Sequence, residues 1–148
     1  LLVNASKKLI SAKVHTLSLS KVNLTIYTEI ENKGDLSVDV TNQDYNVYVN
    51  GTFVSNVKVN EDTHIKSNGK SVLPLTIDFN PQTVFLASIY NLSSIMSDKS
   101  KVIISIKGKL SIKSGILRIN NFKFNIDMTL EEILKKSDEQ PTVNNTGE

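Results

Sequence analysis

Any catalysis or metal binding in this chain would have to be built from two histidines, fifteen carboxylates and many serines, with no cysteine. His15 and His64 stand far apart, and neither is followed by a second ligand at the spacing of a metal motif. A zinc site needs three or four converging ligands, so neither histidine is assigned to metal. The missing cysteine removes disulfides, thiolate ligands and thiol nucleophiles together, and leaves the redox compartment open. The acids are scattered apart from Glu61-Asp62 and Glu131-Glu132, and nothing marks a catalytic carboxylate pair. There is no glycine-rich phosphate loop, no Gly-x-Ser-x-Gly elbow and no His-Glu-x-x-His. The residues point to a non-enzyme with no catalytic residue, cofactor, metal or small-molecule substrate.

Recognition by surface contact is the remaining chemistry. Tyr27, Tyr45, Tyr48, Tyr90 and the five phenylalanines read as core and edge packing. A stacking platform for nucleic acid interleaves aromatics with Arg or Lys, and the only arginine is Arg118. The net charge is +2 with lysines spread along the chain, a balance that steers toward neither nucleic acid nor anionic lipid. If a contact surface exists, Tyr45, Tyr48, Asn50 and Gly51 are its candidates, because tyrosine offers large contact area at small entropic cost. Asn4, Asn23, Asn50, Asn91 and Asn144 each open an Asn-x-Ser/Thr triplet, which a chain this rich in Asn and Ser produces by chance.

The elements that would position these residues are mostly strands. At 148 residues with 39% apolar content, the chain is long enough for one hydrophobic core. Val14, Leu17 and Leu19 suggest a first strand over Lys13–Leu19. Val22, Leu24, Ile26, Thr28 and Ile30 then alternate on one face. Asn32-Lys33-Gly34-Asp35 suits a turn, and Leu36, Val38 and Val40 resume the alternation. Tyr45, Val47 and Val49 follow on one face, with Asn46, Tyr48 and Asn50 opposite. Asn50-Gly51 is a strong hairpin signal, since both central residues of a type I′ turn need positive φ.

Thr52–Val59 is the return strand, and a polar loop spans Asn60–Lys70. Leu75, Ile77 and Phe79 mark a further strand, where Pro74 requires an edge or a bulge. The period changes over Pro81–Ile95, predicting one helix across an end or face of the sheets. Lys101–Leu110 and Ile116–Asp127 return to strand, with a bulge at Asn120-Asn121. A short helix is expected after the capping box at Thr129–Glu132. About seven strands and one inserted helix make an all-β antiparallel sandwich.

The order of these features resembles a known domain. Val22–Glu31 runs into a turn at Asn32, the strand Tyr45–Asn50 ends at Gly51, and Ser71–Phe79, a helix and Val102–Gly108 follow. This resembles the water-stress and hypersensitive-response (WHy) domain of group 2 late-embryogenesis-abundant proteins and their bacterial relatives, over Lys13–Asp127. Where that family usually has Asn-Pro, this chain has Asn32-Lys33. The resemblance implies a seven-stranded sandwich of the fibronectin III or immunoglobulin kind, with a helix between two late strands. It also implies a non-enzymatic role in desiccation and stress tolerance, often behind a lipid or membrane anchor.

Three segments follow: a leading arm over residues 1–12, the sandwich over 13–136 and a polar, disordered tail over 137–148. Leu1-Leu2-Val3 followed by Lys7 and Lys8 is compatible with the end of a membrane anchor and its positive flank. The expected role is an accessory or stress module tethered at its N-terminus, membrane-associated, working against proteins or a membrane surface. The alternative is a structural part of a phage virion or other large assembly, which the Asn-, Lys- and Ile-rich composition of AT-rich genomes also suits.

Overall fold

The computed structural model of the chain describes residues 5–85 and 89–138. Its strands are β1 (Ala5–Leu17), β2 (Val22–Asn32), β3 (Val38–Val49), β4 (Thr52–Val59), β5 (Thr63–Ile65), β6 (Lys70–Phe79), β7 (Ile103–Ser114) and β8 (Leu117–Thr129). Three short helices, α1 (Pro81–Phe85), α2 (Ile89–Ser97) and α3 (Leu130–Asp138), complete it, with a 3-10 turn at Lys99–Lys101. One sheet has the order β1-β2-β6, the other β4-β3-β7-β8 with β5 beside β3, and every pairing is antiparallel. The all-β sandwich is as expected. It carries eight strands rather than seven, because β5 lies within the segment expected to be the loop Asn60–Lys70.

The inner faces follow from the alternation. Val22, Leu24, Ile26 and Ile30 from one sheet meet Val47, Val49, Ile104 and Ile106 from the other in a single buried cluster. Truncating a fully buried member such as Leu24 to Ala costs about 2–5 kcal/mol. β6 is an edge strand, so Pro74 opposite Tyr27 leaves no inner ladder broken.

β3 is one strand where alternation suggests two pieces. Asn42, at φ 51°, turns the chain over between Thr41 and Asp44, where the pairing with β7 slips. Val38 and Val40 before it and Tyr45, Val47 and Val49 after it therefore all reach the core. The β8 bulge forms where expected, with Asn121 at φ 59° and Ser111 Oγ donating to Asn120 Oδ1 at 3.1 Å. Leu36, expected to begin β3, stands outside it and is 57% exposed.

The ends of the sandwich differ. At one end Asn50 (φ 47°) and Gly51 (φ 83°) make the expected two-residue turn between Val49 and Thr52. Here Asn80 opens α1, accepting from Gln82 N at 2.8 Å through its side chain, with Pro81 in the first turn. α2 buries Leu92 and Met96. The expected single helix thus appears as α1 and α2, and its continuity through residues 86–88 lies outside the described residues.

α3 begins with the expected capping box. Thr129 Oγ1 accepts from Glu132 N at 3.1 Å, and Glu132 Oε1 accepts from Thr129 N at 2.9 Å. Leu130 and Ile133 are fully buried, and the helix packs against β1.

Two expected boundaries move. Residues from Ala5 onward, placed in the leading arm, belong to β1 and pair with β2 from Ala5↔Asn32 onward. Register shifts between Leu9 and Ser11 and between Val14 and Thr16 break the alternation that would have revealed the strand. At the other terminus α3 includes Ser137 and Asp138; the remainder of the expected tail, 139–148, and residues 1–4 lie outside the described residues.

The opposite end is held by Asn32, which is 3% exposed. Its side-chain amide donates to Leu36 O at 2.8 Å, Lys66 O at 3.2 Å and Ile65 O at 3.4 Å. Its Oδ1 accepts from Gly34 N at 3.0 Å, and its own N–H donates to Gly69 O at 2.9 Å. One buried amide thus joins the β2–β3 connection to the β5–β6 connection, and Ser67 Oγ adds a bond to Gly34 O at 2.9 Å.

Candidate contact surfaces

The four residues expected at a contact surface do not act together. Tyr45 faces inward and is 4% exposed, which corrects its placement as a contact residue. The alternation that puts Val47 and Val49 in the core puts Tyr45 there too. Its ring meets Phe124 edge-on at 5.7 Å, and its hydroxyl donates to Gln43 Oε1 at 2.7 Å. Gln43, itself buried, donates to Glu61 O at 3.2 Å, so the chain of bonds ties β3 to the loop before β5.

Asn50 is also used by the fold. Its Oδ1 accepts from Ile103 N at 2.6 Å, its Nδ2 donates to Lys101 O at 3.1 Å and its N–H donates to Ile103 O at 2.8 Å. Gly51 is exposed at the hairpin tip. Only Tyr48 presents its ring on the outer face of the five-stranded sheet, edge-on to the exposed Phe53 at 5.9 Å.

Burial raises the Tyr45 phenol above its ordinary range. The folded state therefore holds this proton more tightly than the unfolded chain does. The associated stability is complete below the unfolded tyrosine value of about 10 and is lost as pH rises above it. The denaturant midpoint of the wild type should fall as pH rises above about 10, and Tyr45→Phe should flatten that fall. An equal fall in the variant would show that other groups govern alkaline unfolding.

Around Tyr48 the outer face is polar. Lys107 Nζ lies 5.0 Å from the Tyr48 ring centroid. Asn56 Nδ2 donates to Asp44 Oδ1 at 2.6 Å and Asn46 Oδ1 at 2.7 Å, fixing those side chains across β3 and β4. Asp44, Asn46, Tyr48 and Lys107, with Lys109, Lys123 and Asn125, floor a shallow groove of about 350 Å³. Farther along the same face, His64 Nδ1 lies 2.6 Å from Asp39 Oδ1, a carboxylate that sequence spacing does not place beside it. His15 Nε2 lies 3.0 Å from Thr25 Oγ1, which in turn bonds Thr76 Oγ1 at 2.9 Å.

Among the described residues no group of three or more His, Asp or Glu side chains converges on a metal-sized site. Between the sheets, near Asn32, lies an apolar cavity of about 90 Å³ lined by residues such as Ile30, Val40, Leu110 and Phe122. Small-molecule sites run to about 300–1,000 Å³ with converging polar groups. The Asn32 amide is already bonded to the loops. The cavity is a packing gap.

Residues 27–129 match the family model described as late embryogenesis abundant protein. The chain belongs to that family. It is a late-embryogenesis-abundant-like, stress-related module, and the family is generally non-enzymatic. No curated protein matches the chain.

Among solved structures, an X-ray structure of a structural-genomics target is similar at a TM-score of 0.53 and 13% identity, covering 84% of this chain and 87% of that one. A protein from Bordetella pertussis assigned as ApaA is similar at 0.51 and 9% identity, covering 83% and 92%. A protein from Archaeoglobus fulgidus reaches 0.48 at 16% identity, covering 84% and 94%. At such identities the first two show the family member's fold alone.

Proposed function

We propose that this family member is a stress or accessory module of the water-stress, group 2 type, tethered at its N-terminus and acting by contact with membrane or protein surfaces. The match over residues 27–129 carries this reading. The polar outer face supports contact with a protein, since fixed amides, a lysine and the Tyr48 and Phe53 rings stand there without a converging acid, base or nucleophile. The start of β1 beside Asn32 is compatible with a tether leaving from that end.

A labile enzyme dried and rehydrated with this protein should retain more activity than with an equal mass of an unrelated β-sandwich. Fractionation of the source cells should place the native protein with membranes. Protection no better than the control protein would remove the stress role, and recovery in the soluble fraction alone would remove the tether.

A further inference from the structure

The β7–β8 hairpin turns through Gly115 and Ile116, between the paired residues Ser114 and Leu117. Gly115 has φ 62° and Ile116 does not have positive φ, the pattern of a turn with glycine at its first central position. Such a turn makes no demand for an apolar residue at its second position. Yet Ile116 is 101% exposed, and its neighbour Leu117 is 46% exposed. Ser114 Oγ donates to Ser37 O at 2.9 Å, pinning this tip to the loop that carries the exposed Leu36. Three large apolar side chains thus stand in solvent at one end of the sandwich.

Cations surround them. Lys113 and Arg118 are direct cross-strand partners immediately behind the tip, and both are exposed. Like charges placed opposite each other on a sheet repel. Asp39, the β3 partner of Lys113, bonds His64 and is one acid at this end. Lys33 and Lys66, both exposed, lie on the two loops that Asn32 joins at this same end. Asp35 is the acid within those loops. A formal charge of +2 for the whole chain conceals this local excess.

We infer that this end of the sandwich docks on an anionic lipid surface, with Ile116, Leu117 and Leu36 entering the headgroup boundary and the four cations meeting lipid phosphates. Apolar tips behind a basic collar match the two layers of such an interface, apolar inside and anionic outside. The assignment rests on the surface-contact reading above and names the partner. It also gives an orientation: the Tyr48–Phe53 end points away from the membrane.

The chain has no tryptophan, so Ile116→Trp supplies a single reporter. Its emission should shift to the blue with phosphatidylcholine vesicles containing phosphatidylglycerol, and stay unchanged with phosphatidylcholine alone. Phe53→Trp, at the opposite end, should not respond. In the Ile116→Trp background, Lys113→Glu with Arg118→Glu should weaken vesicle binding by roughly 30-fold or more, with circular dichroism confirming the fold. In vesicle flotation, Ile116→Ser should float less than wild type.

No shift with anionic vesicles, an equal shift at Phe53→Trp, or binding indifferent to the charge reversals overturns the assignment. A concentration-dependent shift without vesicles also overturns it, in favour of a second copy. Protection of the dried enzyme without vesicle binding sinks this inference and leaves the proposed function standing; vesicle binding without protection does the reverse.

Discussion

Asn32→Ala should lower the thermal midpoint by roughly 5–12 °C, the largest loss expected from any single polar side chain in the fold. The mutation removes the donor shared by Leu36 O, Lys66 O and Ile65 O and the acceptor of Gly34 N. Each buried group left without a partner costs about 1–3 kcal/mol, and partial access of water to the loops should hold the sum near 2–4 kcal/mol. For a chain of this size each kcal/mol moves the midpoint by about 2–4 °C. Asn32→Asp keeps the shape and loses the donor, so it should recover little of the loss. A calorimetric scan of the three proteins decides this, and an Asp variant as stable as wild type would show that shape, not donation, is what matters.

Gly108→Val should be comparably damaging. A Cβ at Gly108 would lie 2.5 Å from Tyr45 Cδ1 and 2.7 Å from Cε1, closer than atoms can approach. The ring cannot easily move aside, because Phe124 meets its edge and Gln43 holds its hydroxyl. Overpacking of this kind costs about 1–3 kcal/mol, and the branched side chain should reach the upper part of that range. Gly108→Ala should cost less, and its cost should largely disappear in a Tyr45→Leu background, giving a coupling of about 1–2 kcal/mol in urea unfolding. Costs that simply add would place the strain elsewhere.

The parts of the fold legible in the sequence are those whose pattern is local. β2 alternates without interruption, Asn50-Gly51 carries its own turn chemistry, and Thr129 with Glu132 reports a helix start within four residues. Bulges hide the rest. β1 slips register twice, and Asn42 splits the pattern of β3, so continuous strands read as an arm and as two pieces. β5 is three residues long and exists because β3 offers Val38–Val40 as a partner, a pairing that Thr63–Ile65 does not announce.

Alternation alone puts Tyr45 on its inner face, but its exposure depends on what Gly108 of β7 and Phe124 of β8 bring to it. The basic, apolar end needed the topology. Leu36 and Ile116 are distant in sequence, and the pairing of β3 with β7, with the bond from Ser114 to Ser37, makes them neighbours.

The packing of α3 on β1 has a consequence for how the chain reaches its fold. Among the described residues β1 is the first strand synthesised and α3 the last helix. The sheet containing β1 also waits for β6, whose register runs from Glu31↔Lys70 to Val22↔Phe79. Until those later segments emerge, β1 and β2 form at best an unsupported two-stranded hairpin, which is marginal in water. Pairings this distant close slowly. The early hairpin therefore spends synthesis with its strand edges unguarded, open to pairing with another unfinished chain.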